Sequence, residues 1–206
     1  MEKFQNKYRI PSARLVGWDY ATDAAYFITI CTANRTHFFG ECVDGKMKLS
    51  TAGAIVQGFW YEIPTHFPFV LLGEFTVMPN HIHGILILDK TNFESSGIAV
   101  SPESVETWQC HVSTATDNKN DEPPKKNEFF SKISPKSGSI STILGSFKSV
   151  CTKHINLAFP DLKFDWQERF WDNIIRDDVA FENISNYIIN NPKNWKEDKF
   201  FDENNE

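Results

Sequence analysis

Two histidines, His81 and His83, stand one residue apart in "FTVMPNHIHGILIL", Phe75 to Leu88, at the start of a strongly apolar run. In a strand, residues two apart point to the same face, so the two imidazoles lie side by side and could hold one cation. A second pair stands in "FENISNYIINNPKNW", where Tyr187 and Asn191 are four residues apart and share one face of a helix. Ala180, Ile184 and Ile188 lie near that face and direct it toward the body of the protein. Spacing alone leaves blander assignments open. The histidines also suit a half-exposed strand start, Tyr187 a core aromatic, and Asn191 an end-of-helix residue before Pro192.

The elements that must carry these groups are readable from pattern. Ala24 to Thr32, "AAYFITICT", is β-branched and aromatic and reads as a core strand. Asp44-Gly45 marks a hairpin, because both residues tolerate positive φ. A helix capped by Ser50 or Thr51 follows, with Ala54, Ile55, Phe59 and Tyr61 or Ile63 as its apolar face and Pro64 as its close. Phe69 to Val77 and His81 to Leu88, joined by Met78-Pro79-Asn80, read as antiparallel neighbours. From Gly138-Ser139 a helical period sets Ile140, Ile143, Leu144, Phe147, Val150, Cys151 and His154 on one face. "KFDWQERFWDNIIR" reads as a strand or hairpin, and Asp177 to Asn190 as a last helix ended by Pro192. The expected fold is α+β, a ferredoxin-like or RRM-like antiparallel sheet with helices packed on one face.

A chain of 206 residues with 41% hydrophobic and 14% aromatic content can build one real core. The expected organisation is a single domain from residues 1–88 and 140–196, a flexible polar insertion at 89–139 and an acidic tail at 197–206. Residues 1–88 carry seven basic and seven acidic side chains, and 140–196 again seven and seven, while 89–139 carry six and eight and 197–206 one and five. The net charge of −6 therefore lies in insertion and tail, and a basic groove on the rest is compatible with it. No membrane span or secretory leader is expected, and cytoplasmic placement follows. Cys31, Cys42, Cys110 and Cys151 are scattered and read as free thiols.

Four stretches taken in order, "AAYFITICTANRTHFFGE", "VMPNHIHGILIL", "GSFKSVCTKHIN" and "WQERFWDNIIRDDVAFENISNYIINNPKNW", resemble the REP-associated tyrosine transposases, members of the HUH single-tyrosine transposase superfamily. The resemblance spans most of the chain outside 89–139 and the tail. It implies a divalent cation, Mg2+ or Mn2+, held by His81 and His83 with Asn191 as third ligand, and Tyr187 as nucleophile. The implied reaction cuts single-stranded DNA beside a hairpin and leaves a 5′-phosphotyrosine and a free 3′-hydroxyl. Two imidazoles and an amide oxygen suit Mn2+ as well as Mg2+, and a zinc site would require Cys151 or His154 to be brought in by the fold.

The implied partner is single-stranded or hairpin DNA, with the protein a monomer or homodimer. Lys148, Arg169, Arg176 and Lys193 are the expected phosphate contacts, and Trp166, Phe170, Trp171 and Trp195 could stack bases. The N-terminal "NKYRIPSARLVGWDY" resembles the arm that reads the hairpin foot in that family, which puts Arg9 and Arg14 on DNA. Two other functions fit the same residues: a catalytically silent DNA- or RNA-binding regulator, and a metal-dependent hydrolase in which Tyr187 is structural. No residue stands out as proton acceptor for Tyr187.

Overall fold

Strand β1, Ala24–Cys31, buries Tyr26, Ile28 and Ile30 completely, as an alternating apolar run in mid-sheet should. The computed structural model describes residues 15, 17–95 and 136–201, so Arg9, Arg14 and most of the expected insertion lie outside the described residues. After β1 comes a hairpin of β2, Gly40–Val43, and β3, Lys46–Leu49. Asp44 at φ 50 and Gly45 at φ 70 make its turn in the left-handed region, as their types predict.

Helix α1, Thr51–Tyr61, starts at Ser50, whose hydroxyl accepts from the Gly53 amide and donates to the Phe38 carbonyl. Its buried face is Ala52, Val56 and Trp60, not the expected row. Ala54 is exposed, while Ile55 and Phe59 are half-buried at the margin. The large Trp60 indole sets the helix rotation. Pro64 does not close α1. It lies in the first turn of α2, Ile63–His66, where a missing N–H costs no hydrogen bond.

Strands β4, Val70–Met78, and β5, His81–Leu88, pair antiparallel across the expected connection. Helix α3, Lys90–Ser95, follows at once, and the Asp23 carboxylate accepts from the amides of Lys90 and Thr91. Helix α4, Ile140–Ala158, is capped by Ser139 and buries the expected residues with one exception. His154 is exposed and rests its ring 5.0 Å from that of Phe59. Ile155, four residues after Cys151, takes the core position instead. Strand β6, Trp171–Ile175, and helix α5, Asp178–Asn190, complete the chain, the helix capped by the Asp177 carboxylate on the Ala180 amide.

The sheet order is β4-β5-β1-β6, every pair antiparallel. With α1 and α4 as crossovers this is the β-α-β-β-α-β ferredoxin-like arrangement, with the β2–β3 hairpin inserted after β1. Both crossover helices cover one face over an aromatic core of Trp60, Phe147, Phe164 and Trp166. Gly84 matters there: Trp60 stacks on Phe75 at 4.5 Å, and a Cβ on Gly84 would run into the indole. Helix α5 covers part of the other face, where Ile188 packs with Ile85 and Ile175 beside Ala180, Phe181 and Ile184. Strand β5 is thus buried on both sides. Ile82, Leu86 and Leu88 join the crossover-helix core, and His81, His83 and Ile85 face α5. No helix among the described residues is long and apolar enough to cross a membrane.

Candidate active site

The opening residues of β5 are tied into mid-sheet, which is why the histidines are not half exposed. His81 pairs with Met78 and Cys31, His83 with Thr76 and Thr29, and both are almost wholly buried. Burial disfavours the imidazolium. It lowers the His81 pKa well below the usual value, with the neighbouring His83 adding to the effect, and brings His83 down to about 4 against an opposing pull from Asp198. Both rings are neutral at pH 7 and available as ligands.

Hydrogen bonding orients them. The Asn80 amide donates from Nδ2 to the Phe200 carbonyl at 2.8 Å, so its Oδ1 faces His81 Nδ1 at 2.8 Å. An amide oxygen only accepts, so His81 Nδ1 carries the proton and Nε2 bears a free lone pair. His83 Nδ1 lies 2.8 Å from Thr29 Oγ1. The two Nε2 atoms face each other at 3.1 Å.

Helix α5 brings its residues to the same point. The Tyr187 hydroxyl lies 3.2 Å from His83 Nε2 and donates to Asp198 Oδ2 at 3.3 Å. Asn191 Nδ2 donates to the same carboxylate oxygen at 3.0 Å, while Asn191 Oδ1 is buried without a hydrogen-bond partner. Burial first, and the Asp198 charge second, push the Tyr187 phenol up to about 12. The segment after α5 closes over the rings: Phe200 lies 4.6 Å from His81, and Arg35 sits over Phe200 while donating to the Lys199 carbonyl.

The donor set fits a divalent cation. His81, His83 and Asp198 offer one ligand atom each within 4.8 Å of one another. A separation of 3.1 Å between the imidazole nitrogens suits two ligands at right angles on one ion with bonds of about 2.1 Å. Asn191 Oδ1, a hard oxygen at the end of the helix that carries Tyr187, is buried with no hydrogen-bond partner of its own.

The structure therefore brings together His81, His83, Tyr187 and Asn191, and adds four residues that sequence reasoning missed. Asn80 directly precedes the pair and Thr29 interrupts an apolar strand, both weak signals. Asp198 and Phe200 fall in what reads as an acidic tail, with no local pattern linking them to the histidines. Cys151 is on the buried face of α4 and His154 on its outer surface, and neither joins the group. Lys148 donates to the Gln167 and Glu168 carbonyls, and burial lowers its pKa. Arg169, Arg176 and Lys193 are exposed, and Lys193 donates to Asn190 at 3.4 Å. Trp166 and Trp195 are buried, Phe170 is half-buried and Trp171 is 54% exposed.

Fold and site define a ferredoxin-like α+β protein whose sheet carries a buried histidine pair beside a tyrosine hydroxyl and a carboxylate. The chain is 31% identical over 192 residues to a Haemophilus influenzae protein described as "Uncharacterized protein", covering 92% of each, and belongs to the same family. No family model matches. Two solved structures are similar at greater distance. One is a REP-associated tyrosine transposase bound to a REP hairpin, at 16% identity and a TM-score of 0.47 over 95% of this chain and 74% of that one. The other is a putative transposase from Deinococcus radiodurans, at 13% identity and a TM-score of 0.42 over 89% of this chain and 97% of that one.

Proposed function

We propose that the protein is a metal-dependent, transposase-like DNA strand transferase acting on single-stranded DNA at hairpins, with Tyr187 as nucleophile. The observation that carries this reading is the placement of the Tyr187 hydroxyl 3.2 Å from Nε2 of His83, within the His81–His83–Asp198 cluster. The sequence resemblance to REP-associated tyrosine transposases names the same histidines and the same tyrosine.

His81 and His83, with oxygen from Asn191 or Asp198, would hold Mg2+ or Mn2+. Such an ion, when bound, would offset the negative charge that builds on the oxygens of the scissile phosphate. Tyr187 Oη forms a bond to phosphorus as the bond to the 3′-oxygen breaks, and that oxygen takes up a proton to become a free 3′-hydroxyl. A phenol held at a pKa of about 12 is protonated at pH 7 and must release its proton during attack. Asp198 Oδ2, already accepting that hydroxyl, is the acceptor. The phosphotyrosine keeps the diester energy, so religation needs no ATP. Four hydrogen-bonded groups fix the reactive atoms: Thr29 holds His83, Asn80 holds His81, and Asn191 and Tyr187 meet on Asp198.

The test is incubation with single-stranded hairpin oligonucleotides from the chromosomal neighbourhood of the gene, with Mn2+ or with EDTA, scored for a covalent adduct on a denaturing gel. A Mn2+-dependent adduct that Tyr187→Phe abolishes is expected. Binding with no adduct across the panel would point to a silent regulator, and cleavage surviving Tyr187→Phe to a hydrolase.

A further inference from the structure

Helix α5 covers only part of the sheet face that carries the histidines. It lies mainly against β4 and β5 and packs Ile188 against Ile175 of β6, while Trp171 and Asn173, on the same face of β6, are exposed. Register places a single row of residues across it. Thr76 is opposite His83, His83 opposite Thr29, and Thr29 opposite Trp171. Directly opposed residues in an antiparallel sheet point to the same side, and neighbouring strands are about 4.8 Å apart. Trp171 therefore stands on the face of the site, two strands and about 10 Å from His83. The residue between them is Thr29, short, buried and occupied with His83 Nδ1.

Trp171 is 54% exposed at the start of an edge strand, while the buried tryptophans Trp60, Trp166 and Trp195 belong to the interior. An indole half in water presents a flat π-face on which a base can stack. Beside it, one row along, the half-buried Phe27 contacts both His83 at 5.3 Å and Tyr187 at 6.1 Å, and Asn173, opposite Phe27, is exposed. Arg169 and Arg176, both exposed, flank the strand at its two ends. The acidic groups nearby do not close the platform. Asp172 is buried on the opposite side of the strand and Asp177 is engaged in capping α5, while Glu168 and Asp178 are exposed outside the row.

We infer that Trp171 is a stacking platform for one base of the single-stranded DNA flanking the phosphate attacked by Tyr187, with Arg169 and Arg176 meeting the backbone on either side. The inference rests on the proposed strand-transferase function and deepens it. Bases present the same flat π-surface whatever their identity, so the platform grips and positions the strand without reading its sequence.

The experiment measures binding of the full-length protein to fluorescein-labelled oligothymidylate by anisotropy, together with adduct formation on the hairpin panel. Trp171→Ala is expected to weaken oligothymidylate binding about 10- to 100-fold and Trp171→Phe much less, with an unchanged thermal midpoint because the side chain is half exposed. In the adduct assay the KM for the strand should rise while kcat is largely kept. Equal oligothymidylate affinity in wild type and Trp171→Ala, or no wild-type affinity at all, would overturn the platform. The two readings fail separately: an adduct with a Trp171-independent KM removes the platform alone, whereas Trp171-dependent binding with no adduct removes the transferase alone.

Discussion

The Tyr187 hydroxyl and Nε2 of His83 stand 3.2 Å apart across 104 residues of sequence. Their meeting depends on how α5 is fastened to the sheet. Ile188, adjacent to Tyr187 and fully buried against Ile85 and Ile175, is the helix's one wholly buried residue. Ile188→Ala should lower stability by about 2–4 kcal/mol in urea unfolding and cut adduct yield, because the tyrosine loses its fixed distance to the histidines. Ile188→Val, losing one methyl group, should cost about 1 kcal/mol and keep most of the activity. Equal activity in all three proteins would detach the anchor from the site.

Asn80 is placed to tune the affinity of the proposed metal site without being a ligand. It holds His81 by Nδ1 and, through its amide, the Phe200 carbonyl. Removing a hydrogen-bond partner that sets a ligand's tautomer typically weakens metal binding 10- to 100-fold. Asn80→Ala should therefore bind Mn2+ about 10- to 100-fold more weakly in calorimetric titration, and Asn80→Asp, which keeps an acceptor, should recover part of the loss. A single affinity shared by wild type and Asn80→Ala would show that His81 is oriented by its backbone alone.

Gly84 couples the site to the core on the other side of β5. A Cβ there would collide with the buried Trp60 indole and press on Phe75, so the stacked pair must shift. Gly84→Ala should lower stability by about 1–3 kcal/mol by overpacking, with a smaller effect on Mn2+ affinity, since the added methyl group points away from the histidines. Trp60→Phe in the same chain should relieve part of the clash. A double variant no more stable than Gly84→Ala alone would place the strain elsewhere.

What the sequence disclosed and what it hid divide along physical lines. Local signals were readable: the Asp44-Gly45 turn, the Ser50 cap, the helix starts at Gly138-Ser139 and Asp177, the Met78-Pro79-Asn80 connection and the two-residue period that pairs His81 with His83. The Tyr187–Asn191 face was legible because helical spacing is local too. The rotation of α1 was not, because Trp60 finds its place only against Phe75 and Phe147, which lie on other elements. His154 shows the same limit at the margin of α4. Asp198 was hidden in an acidic run, and only the folding of the segment after α5 back over β5 gives it a role. Lys148 looked like a surface cation, yet its ammonium is tied to two carbonyls that no pattern in its own helix foretells.

The buried histidines make stability depend on pH in a defined direction. His83 has a native pKa of about 4 and an unfolded one of about 6.5, and His81 shifts the same way. Between those values the unfolded chain binds a proton that the native chain refuses, so stability falls as pH drops from about 6.5 toward 4 and is fully present above. The share from His83 is on the order of 3 kcal/mol by pH 4. In EDTA, urea midpoints at pH 7.5, 6 and 5 should fall steadily for wild type and more gently for His83→Gln. Saturating Mn2+ should raise stability at pH 7.5 and steepen the decline, because the ion competes with protons for the same nitrogens. Parallel curves for wild type and His83→Gln would mean that His83 is not the group whose protonation unfolds the protein in this range.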